Sequence, residues 1–325
     1  MTPAAAPELS IVIPCFNEQE NVEAIHAAVK AEAAKHAASH EIIFIDNHST
    51  DRTRALLREI CARDPHTRAI LNNRNYGQMR SPTYGIFQTN GSAVIGMGAD
   101  FQDPPAMIGV FLQQWRAGAQ VVLGQRRRES SSLALRIIRK VGYAFLGRFA
   151  DYPIIPGATG FGLFDRKVVD ALTHWNEPEP FFRGMLVESG FRIAVVPFDR
   201  PPRAAGESKN GFGSLFAFAL SALSGSAPSL LRLPLVLAGV IGVLAGLLFA
   251  AWFVSLFTPG PVAALGWLSA GCVALALVLL SIGLLSEQVR LLSERSRNVP
   301  LVTEEERINF PLHRSGPVLR RGLTD

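Results

Sequence analysis

Leu9-Ser10-Ile11-Val12-Ile13-Pro14-Cys15-Phe16-Asn17-Glu18 passes from an apolar run to a polar turn within a few residues. Leu9 to Ile13 has the length and flanks of a buried strand. The polar group Asn17 to Asn21 then opens an Ala-rich helix that runs to about His36. Acidic residues in its first turn suit the positive end of the helix dipole. The same alternation repeats downstream. Glu41 to Ile45 reads as a strand stopped by Asp46-Asn47-His48, and Ser49 to Ile60 as a helix with Ser49, Thr50 or Asp51 as its cap. Ala69 to Leu71 is a third strand. Ser81 to Thr89 is a helix that carries Pro82 in its first turn, and Ala93 to Met97 is a fourth strand closed by Gly98-Ala99-Asp100.

Strands alternating with helices predict an α/β fold with a mostly parallel, Rossmann-like sheet and helices on both faces. Ligands of such sheets bind beyond the carboxyl ends of the strands. Asn17–Glu18, Asp46–Asp51 and Asp100–Asp103 each follow a strand, so they are expected on one rim. Further on come a helix near Ala106 to Ala117, a strand Val121 to Gly124, a Gly-rich stretch Pro156 to Phe164, a helix from Arg166 and a strand Phe191 to Val196. Ala204 to Gly213 has the composition of a loop.

The character changes after Arg232. Leu233 to Leu256 and Ala264 to Leu285 contain no charged residue, and each meets the roughly 20 residues that span a bilayer. Arg232 precedes the first run, and Arg290, Arg295 and Arg297 follow the second, so the positive-inside rule predicts a hairpin with both ends in the cytoplasm. The expected division is a domain over 1–211, an interfacial helix over 212–232, spans over 233–256 and 264–285, and a cytoplasmic tail over 286–325. Mean hydropathy is +0.21, an excess carried by the segment after residue 233. Met1 to Glu8 lacks the basic n-region of a signal peptide, so the first domain is expected in the cytoplasm at an inner membrane. Cys15, Cys61 and Cys272 show no metal spacing and no expected disulfide.

The formal net charge is +5. The basic stretch from Arg126 to Arg148 lies among Ser, Leu and Ile near the apolar runs, which favours anionic lipid over nucleic acid. His36 and His40 have a metal-like spacing without a third ligand, and Glu304-Glu305-Glu306 reads as a solvated acidic tail.

Asp100 and Asp103, with Gln102 between them, offer oxygen ligands suited to Mg²⁺ or Mn²⁺. An Asp/Pro-rich turn is the plainer reading of that stretch taken alone. Together the strand-end clusters resemble the family 2 glycosyltransferases of the GT-A fold, and among them the polyprenyl-phosphate sugar transferases. The likeness rests on Ile11 to Glu18, Ile45 to Asp51, Asn75-Tyr76-Gly77, Ala99 to Pro105, Arg183-Gly184, Arg203 to Lys209 and Leu284 to Gln288, and covers about residues 9 to 300.

The resemblance implies an inverting transfer from a UDP- or GDP-linked sugar to a polyprenyl phosphate at the membrane. It assigns Pro14, Asn17, Glu18 and Asp46 to the nucleoside side and Arg126 to phosphate. Asp100, Gln102 and Asp103 fall to the metal, and Arg203, Ser208 and Lys209 to the loop that covers the donor and meets the acceptor. Asp165 is a candidate acid or base, with a helix N-cap as its alternative. Two departures stand out. Gly98 replaces the first carboxylate of an Asp-Ala-Asp pattern, and Gly160 and Gly162 replace an Asp and an Arg. A phosphate acceptor is already ionised at neutral pH and needs no base, whereas a saccharide hydroxyl does. Transfer to a saccharide and a non-catalytic membrane scaffold are the alternatives. A two-helix anchor also offers a surface for a homo-oligomer.

Overall fold

The computed structural model describes residues 6–127, 155, 157–175, 177–201 and 299–310, with scattered helical positions between 271 and 296. The chain divides into two compact units. The first comprises Met1–Leu133, Ile155–Leu215 and Pro300–Asp325, and the second Ala134–Ile154 and Phe216–Val299.

The first unit is one sheet covered by helices. In chain order it contains β1 (Leu9–Cys15), α1 (Val22–His36), β2 (His40–Asp46), α2 (Thr53–Arg63), β3 (Thr67–Asn72), α3 (Gly77–Phe87), β4 (Ala93–Gly96), α4 (Met107–Arg116) and β5 (Val121–Arg126). Then follow β6 (Ala158–Asp165), α5 (Arg166–Thr173), α6 (Phe182–Glu188), β7 (Ile193–Phe198) and β8 (Glu304–Ile308). The strand order is β7-β5-β6-β4-β1-β2-β3-β8. β1 pairs in parallel with β2 and β4, β2 with β3, and β5 with β7. β6 runs antiparallel to both β4 and β5, and β8 antiparallel to β3.

The near-continuous apolar strands are explained by burial on both faces. Alternate residues go to opposite sides. Ile11, Ile13, Ile42 and Phe44 pack in one cluster with Val29 of α1, Leu57 of α2 and Phe111 of α4. Val12, Ile43, Ile45 and Val94 pack in the other with Ile86 of α3 and Val168 of α5.

Three local features depart from the sequence reading or add to it. α3 starts at Gly77, one turn before the expected Ser81, so Pro82 lies inside the helix and not in its first turn. Asn75 Oδ1 accepts from Gly77 N at 2.8 Å and Asn47 Oδ1 from Tyr76 N at 2.8 Å, which satisfies the early amides of this helix. Second, Glu304 to Glu306 is not a solvated tail, because it lies in edge strand β8. Arg54 pairs with Glu305, Arg58 with Glu306, and Arg307 with Glu304. A charged edge strand also resists pairing with other chains. Third, Asn309, at φ 61°, donates to Cys61 O at 2.6 Å and Thr67 O at 2.8 Å, which fastens the end of β8 to the α2–β3 turn.

The interfacial helix over 212–232 and the span over 233–256 lie outside the described residues, as does most of the span over 264–285. Among the described residues no helix is long and apolar enough to cross a membrane. In the second unit, Val278, Ile282, Leu285, Val289 and Leu292 are each more than half exposed at helical spacing.

A buried polar knot pins α1 to the turn before β3. Asp64 Oδ2 accepts from Lys30 Nζ at 2.9 Å and Thr67 Oγ1 at 3.0 Å, and lies 3.1 Å from His26 Nε2. Burial alone raises the Asp64 carboxyl, but hydrogen bonds from Lys30, His66 N, Thr67 and His26 outweigh it and hold the group well below the usual carboxylate range. Burial lowers His26 from its ordinary value. Both signs agree. Asp64 contributes stability that is present above its unfolded pKa of about 3.9 and lost as pH falls through its folded value. Neutral buried His26 is likewise penalised below about 6.5. Melting temperature is therefore expected to fall on acidification from pH 6 to pH 3. Asp64→Asn is expected to lower it at pH 7 and to flatten the fall below about pH 4; an unchanged slope there excludes Asp64 as its source.

Candidate active site

Three adjacent parallel strands deliver their following loops to one rim. Cys15 of β1 stands opposite Asp46 of β2, Asn47 N donates to Cys15 O at 2.9 Å, and Met97 N beyond β4 donates to Val12 O at 3.1 Å. Each loop carries one non-glycine residue in the left-handed region: Asn17 at φ 55°, His48 at φ 67° and Phe101 at φ 59°. Such backbone is uncommon outside glycine and gathers at functional loops.

The first two loops clamp each other. Asn17 N donates to Ser49 Oγ at 2.8 Å, Thr50 N to Asn17 Oδ1 at 2.7 Å, and Glu18 N to Thr53 Oγ1 at 2.8 Å. Asn17 is thereby a bridge between loops. Glu18 accepts from Asn21 Nδ2 at 2.8 Å, and Pro14 sits within β1 opposite Ile45. Asp51 caps α2 by accepting from Thr53 N at 2.9 Å.

Asp46 is fully buried. Its Oδ2 accepts from Ser49 N at 3.0 Å and lies 3.5 Å from Arg54 Nε. Oδ1 is buried without a hydrogen-bond partner among the described residues. Burial pushes this carboxyl up, against hydrogen bonds from Ser49 and the charge of Arg54.

The loop after β4 folds back on itself. Asp103 Oδ2 accepts from Gly98 N at 2.9 Å, and Asp100 Oδ1 accepts from Gln102 N at 3.1 Å. A Cβ on Gly98 would stand 3.3 Å from Asp100 Oδ1 and 3.4 Å from Asp103 Oδ2, so both carboxylates converge on this glycine. Burial raises the Asp103 carboxyl, and so does the charge of Asp100; Gly98 N, Arg200 and Arg126 oppose the rise. Arg126, at the end of β5, is close enough for its charge to act on Asp103. Gln102 Oε1 accepts from Arg200 Nη2.

Two arginines went unnoticed in the sequence. Arg200 follows β7, and β7 is parallel to β5, so its end faces the same rim. Arg54 lies in the first turn of α2, where it passes for a solvated helix residue.

Asp165 is corrected. β6 is antiparallel to β4 and Asp165 pairs with Ala93, the first residue of β4, which puts it at the opposite end of the sheet from Asp100. There it caps α5, accepting from Lys167 N at 2.9 Å and Trp115 Nε1 at 2.7 Å. Arg203, Ser208 and Lys209 lie outside the described residues.

A sheet with carboxylates and arginines gathered at the carboxyl ends of its strands is an α/β arrangement suited to a phosphate-bearing ligand. Residues 10–173 match the model of Glycosyl transferase family 2, and the chain belongs to that family. It is 34% identical to the uncharacterized glycosyltransferase sll0501 of Synechocystis over 66% of this chain and 68% of that protein. It is 28% identical to the uncharacterized glycosyltransferase YkcC of Bacillus subtilis over 90% and 92%. The bactoprenol glucosyl transferase of Shigella phage SfX is 28% identical over 76% and 81%. Among solved structures, glucosyl-3-phosphoglycerate synthase of Mycobacterium tuberculosis, in complex with Mn²⁺, UDP and glucosyl-3-phosphoglycerate, shares the fold with a TM-score of 0.52. That likeness has 17% identity and covers 67% of this chain and 79% of that one.

Proposed function

We propose that the chain transfers a sugar, with inversion, from a UDP- or GDP-linked donor to a polyprenyl phosphate at the cytoplasmic face of an inner membrane. The observation that carries this reading is the end of β4, where Asp100 and Asp103 converge on Gly98 beside Arg126 and Arg200. Such a group of carboxylates and arginines suits the diphosphate of a nucleotide sugar. The named bactoprenol glucosyl transferases among its relatives support the acceptor.

A divalent cation fits the same residues. Asp100 and Asp103 are hard oxygen donors close enough that one raises the proton affinity of the other, a repulsion that a cation between them relieves. Mg²⁺ or Mn²⁺ held by Asp100 and Asp103 would neutralise the leaving diphosphate. Gln102 would act indirectly, through Arg200.

Asp46 would accept from the base, with Pro14, Asn17 and Glu18 shaping the nucleoside side. An acceptor phosphate oxygen attacks the anomeric carbon while the nucleoside diphosphate departs from the opposite face. A phosphomonoester has its second pKa near 6, so the nucleophile is already charged. The distance of Asp165 from the rim is compatible with such an acceptor, because no base is required. The remaining work is positioning and charge, which Arg126, Arg200, Arg203, Ser208 and Lys209 would supply.

The runs over 233–256 and 264–285 would hold the enzyme where the acceptor's phosphate meets water. The exposed apolar side chains from Val278 to Leu292 support membrane contact or self-association in the second unit. A screen of radiolabelled nucleotide sugars against undecaprenyl phosphate tests the reading. Label is expected in the organic phase with at least one UDP- or GDP-sugar. Label that enters only a saccharide acceptor overturns the lipid assignment, and no donor binding at all favours a scaffold.

A further inference from the structure

Asp46, Arg54 and Glu305 form a chain from core to surface. Side-chain exposure rises from 0% to 17% to 48% along it. Arg54 Nη2 donates to Glu305 Oε2 at 2.8 Å, while Arg54 Nε faces Asp46 Oδ2 at 3.5 Å and has no hydrogen-bond partner among the described residues. Glu305 lies on β8, a strand that enters the sheet only after the apolar segments of the sequence.

Docking of β8 does not need this link. Arg58 grips Glu306 Oε2 with two donors at 2.7 and 3.0 Å, Tyr84 Oη donates to Glu304 Oε1 at 2.9 Å, and Asn309 fastens the strand end. The Arg54–Glu305 pair is the one that reaches Asp46. A buried carboxylate oxygen without a partner is costly, and an ionised one can only accept. Asp46 Oδ1 is therefore matched to an N–H donor, which a bound base can supply.

We propose that Arg54, steadied by Glu305, is a positioning residue for donor binding: it holds Asp46 as an oriented anion that accepts a ring N–H of an oxo-purine or oxo-pyrimidine base. The proposal rests on reading the rim as a nucleotide-sugar site. The surroundings of Asp46 single out Arg54. Cys15 lies beside it on β1, with Glu18 and Asp51 acting on the same neighbourhood. His48 donates to it through its backbone. Arg58 from α2 also faces it but is half exposed and engaged with Glu306, and Glu305 and Glu306 bring negative charge from β8. Arg54 is the nearest cation, opposing the burial that favours protonation.

The test is calorimetric titration of the full chain in detergent with UDP, and with GDP as a second probe, from pH 5.5 to 8.5. Wild-type affinity is expected to be flat. Arg54→Gln is expected to bind about tenfold more weakly than wild type at pH 5.5 and to recover towards pH 8.5 as Asp46 ionises. Arg54→Lys restores the flat profile. Glu305→Gln binds about threefold more weakly with a flat profile, since it loosens the guanidinium without removing its charge. In turnover these changes appear in KM and not in kcat. Asp46→Asn separates the two readings. If it binds as wild type, donor binding does not use the charge of Asp46 and the proposal fails. If Asp46→Asn is weak while Arg54→Gln matches wild type at every pH, the rim assignment stands and the proposal is overturned. Should Arg54→Gln lose cooperative melting, wild-type affinity in surface variant Glu305→Gln overturns it instead.

Discussion

Asp100→Asn is expected to slow sugar transfer about 10²–10³-fold, the loss typical of removing one electrostatic group aimed at a developing charge. The substitution keeps shape and removes charge. Asp100 Oδ1 accepts from Gln102 N at 3.1 Å, and an asparagine carbonyl oxygen retains that bond. The loop after β4 should hold its form, and the melting temperature should stay close to wild type, because this buried side chain keeps its shape and its hydrogen bond while its repulsion with Asp103 falls. Asp103→Asn is the informative neighbour. Its Oδ2 accepts from Gly98 N, so an amide carbonyl can replace it structurally, but its carboxyl is already raised by burial and by Asp100. It should slow transfer as well, because both carboxylates face the charge that develops on the diphosphate. Initial rates at saturating donor, with melting curves on the same preparations, check both. A wild-type rate in Asp100→Asn removes the end of β4 from the chemistry.

The central strands were legible because their apolar runs are short, bounded by turn residues and separated by helices. That order dictates a parallel sheet, and a parallel sheet places Asp46 and Asp100 on one rim without any alignment. What escaped were elements whose local pattern is weak. β6 spans Ala158–Asp165 with two glycines inside it, which reads as a loop. Its antiparallel direction then turned Asp165 from a candidate acid into a helix cap. β8 begins Glu-Glu-Glu, a composition that favours solvent until Arg54, Arg58 and Arg307 neutralise it. Two of those partners stand about 250 positions earlier in the chain, so no local window contains the signal. Arg200 was hidden for a related reason: its place depends on β7 lying beside β5, a pairing across long sequence distance.

The two glycines of β6 have opposite fates under the same mutation. Gly162→Ala is expected to destabilise the first unit by about 3 kcal/mol, the upper range of overpacking. Gly160→Ala is expected to stay within about 0.5 kcal/mol. Gly162 sits inside the sheet, opposite Gly96 of β4 and Leu123 of β5. A Cβ there would lie 2.3 Å from the carbonyl oxygen of Val122, a backbone atom that cannot rotate away. The register between β5 and β6 shifts between Leu123 and Gln125, so this close approach belongs to an irregular part of the ladder. Relief requires parting two strands whose neighbours Leu123, Leu163 and Phe164 are fully buried. At 2–4 °C per kcal/mol, the melting temperature should drop by about 6–12 °C. Gly160 is exposed and a Cβ there meets nothing within 4 Å. Equal melting temperatures for the two variants would show that β5 and β6 approach less closely than this. The contrast also separates two departures that look alike in sequence. A side chain is missing at Gly162 because the backbone leaves no room for one. At Gly160 space is not the constraint, and the antiparallel register carries that residue past the end of β4 towards the Gly98 loop. Gly160→Asp can therefore add a carboxylate near the rim without a clash, whereas Gly162→Arg cannot be accommodated without rebuilding the sheet.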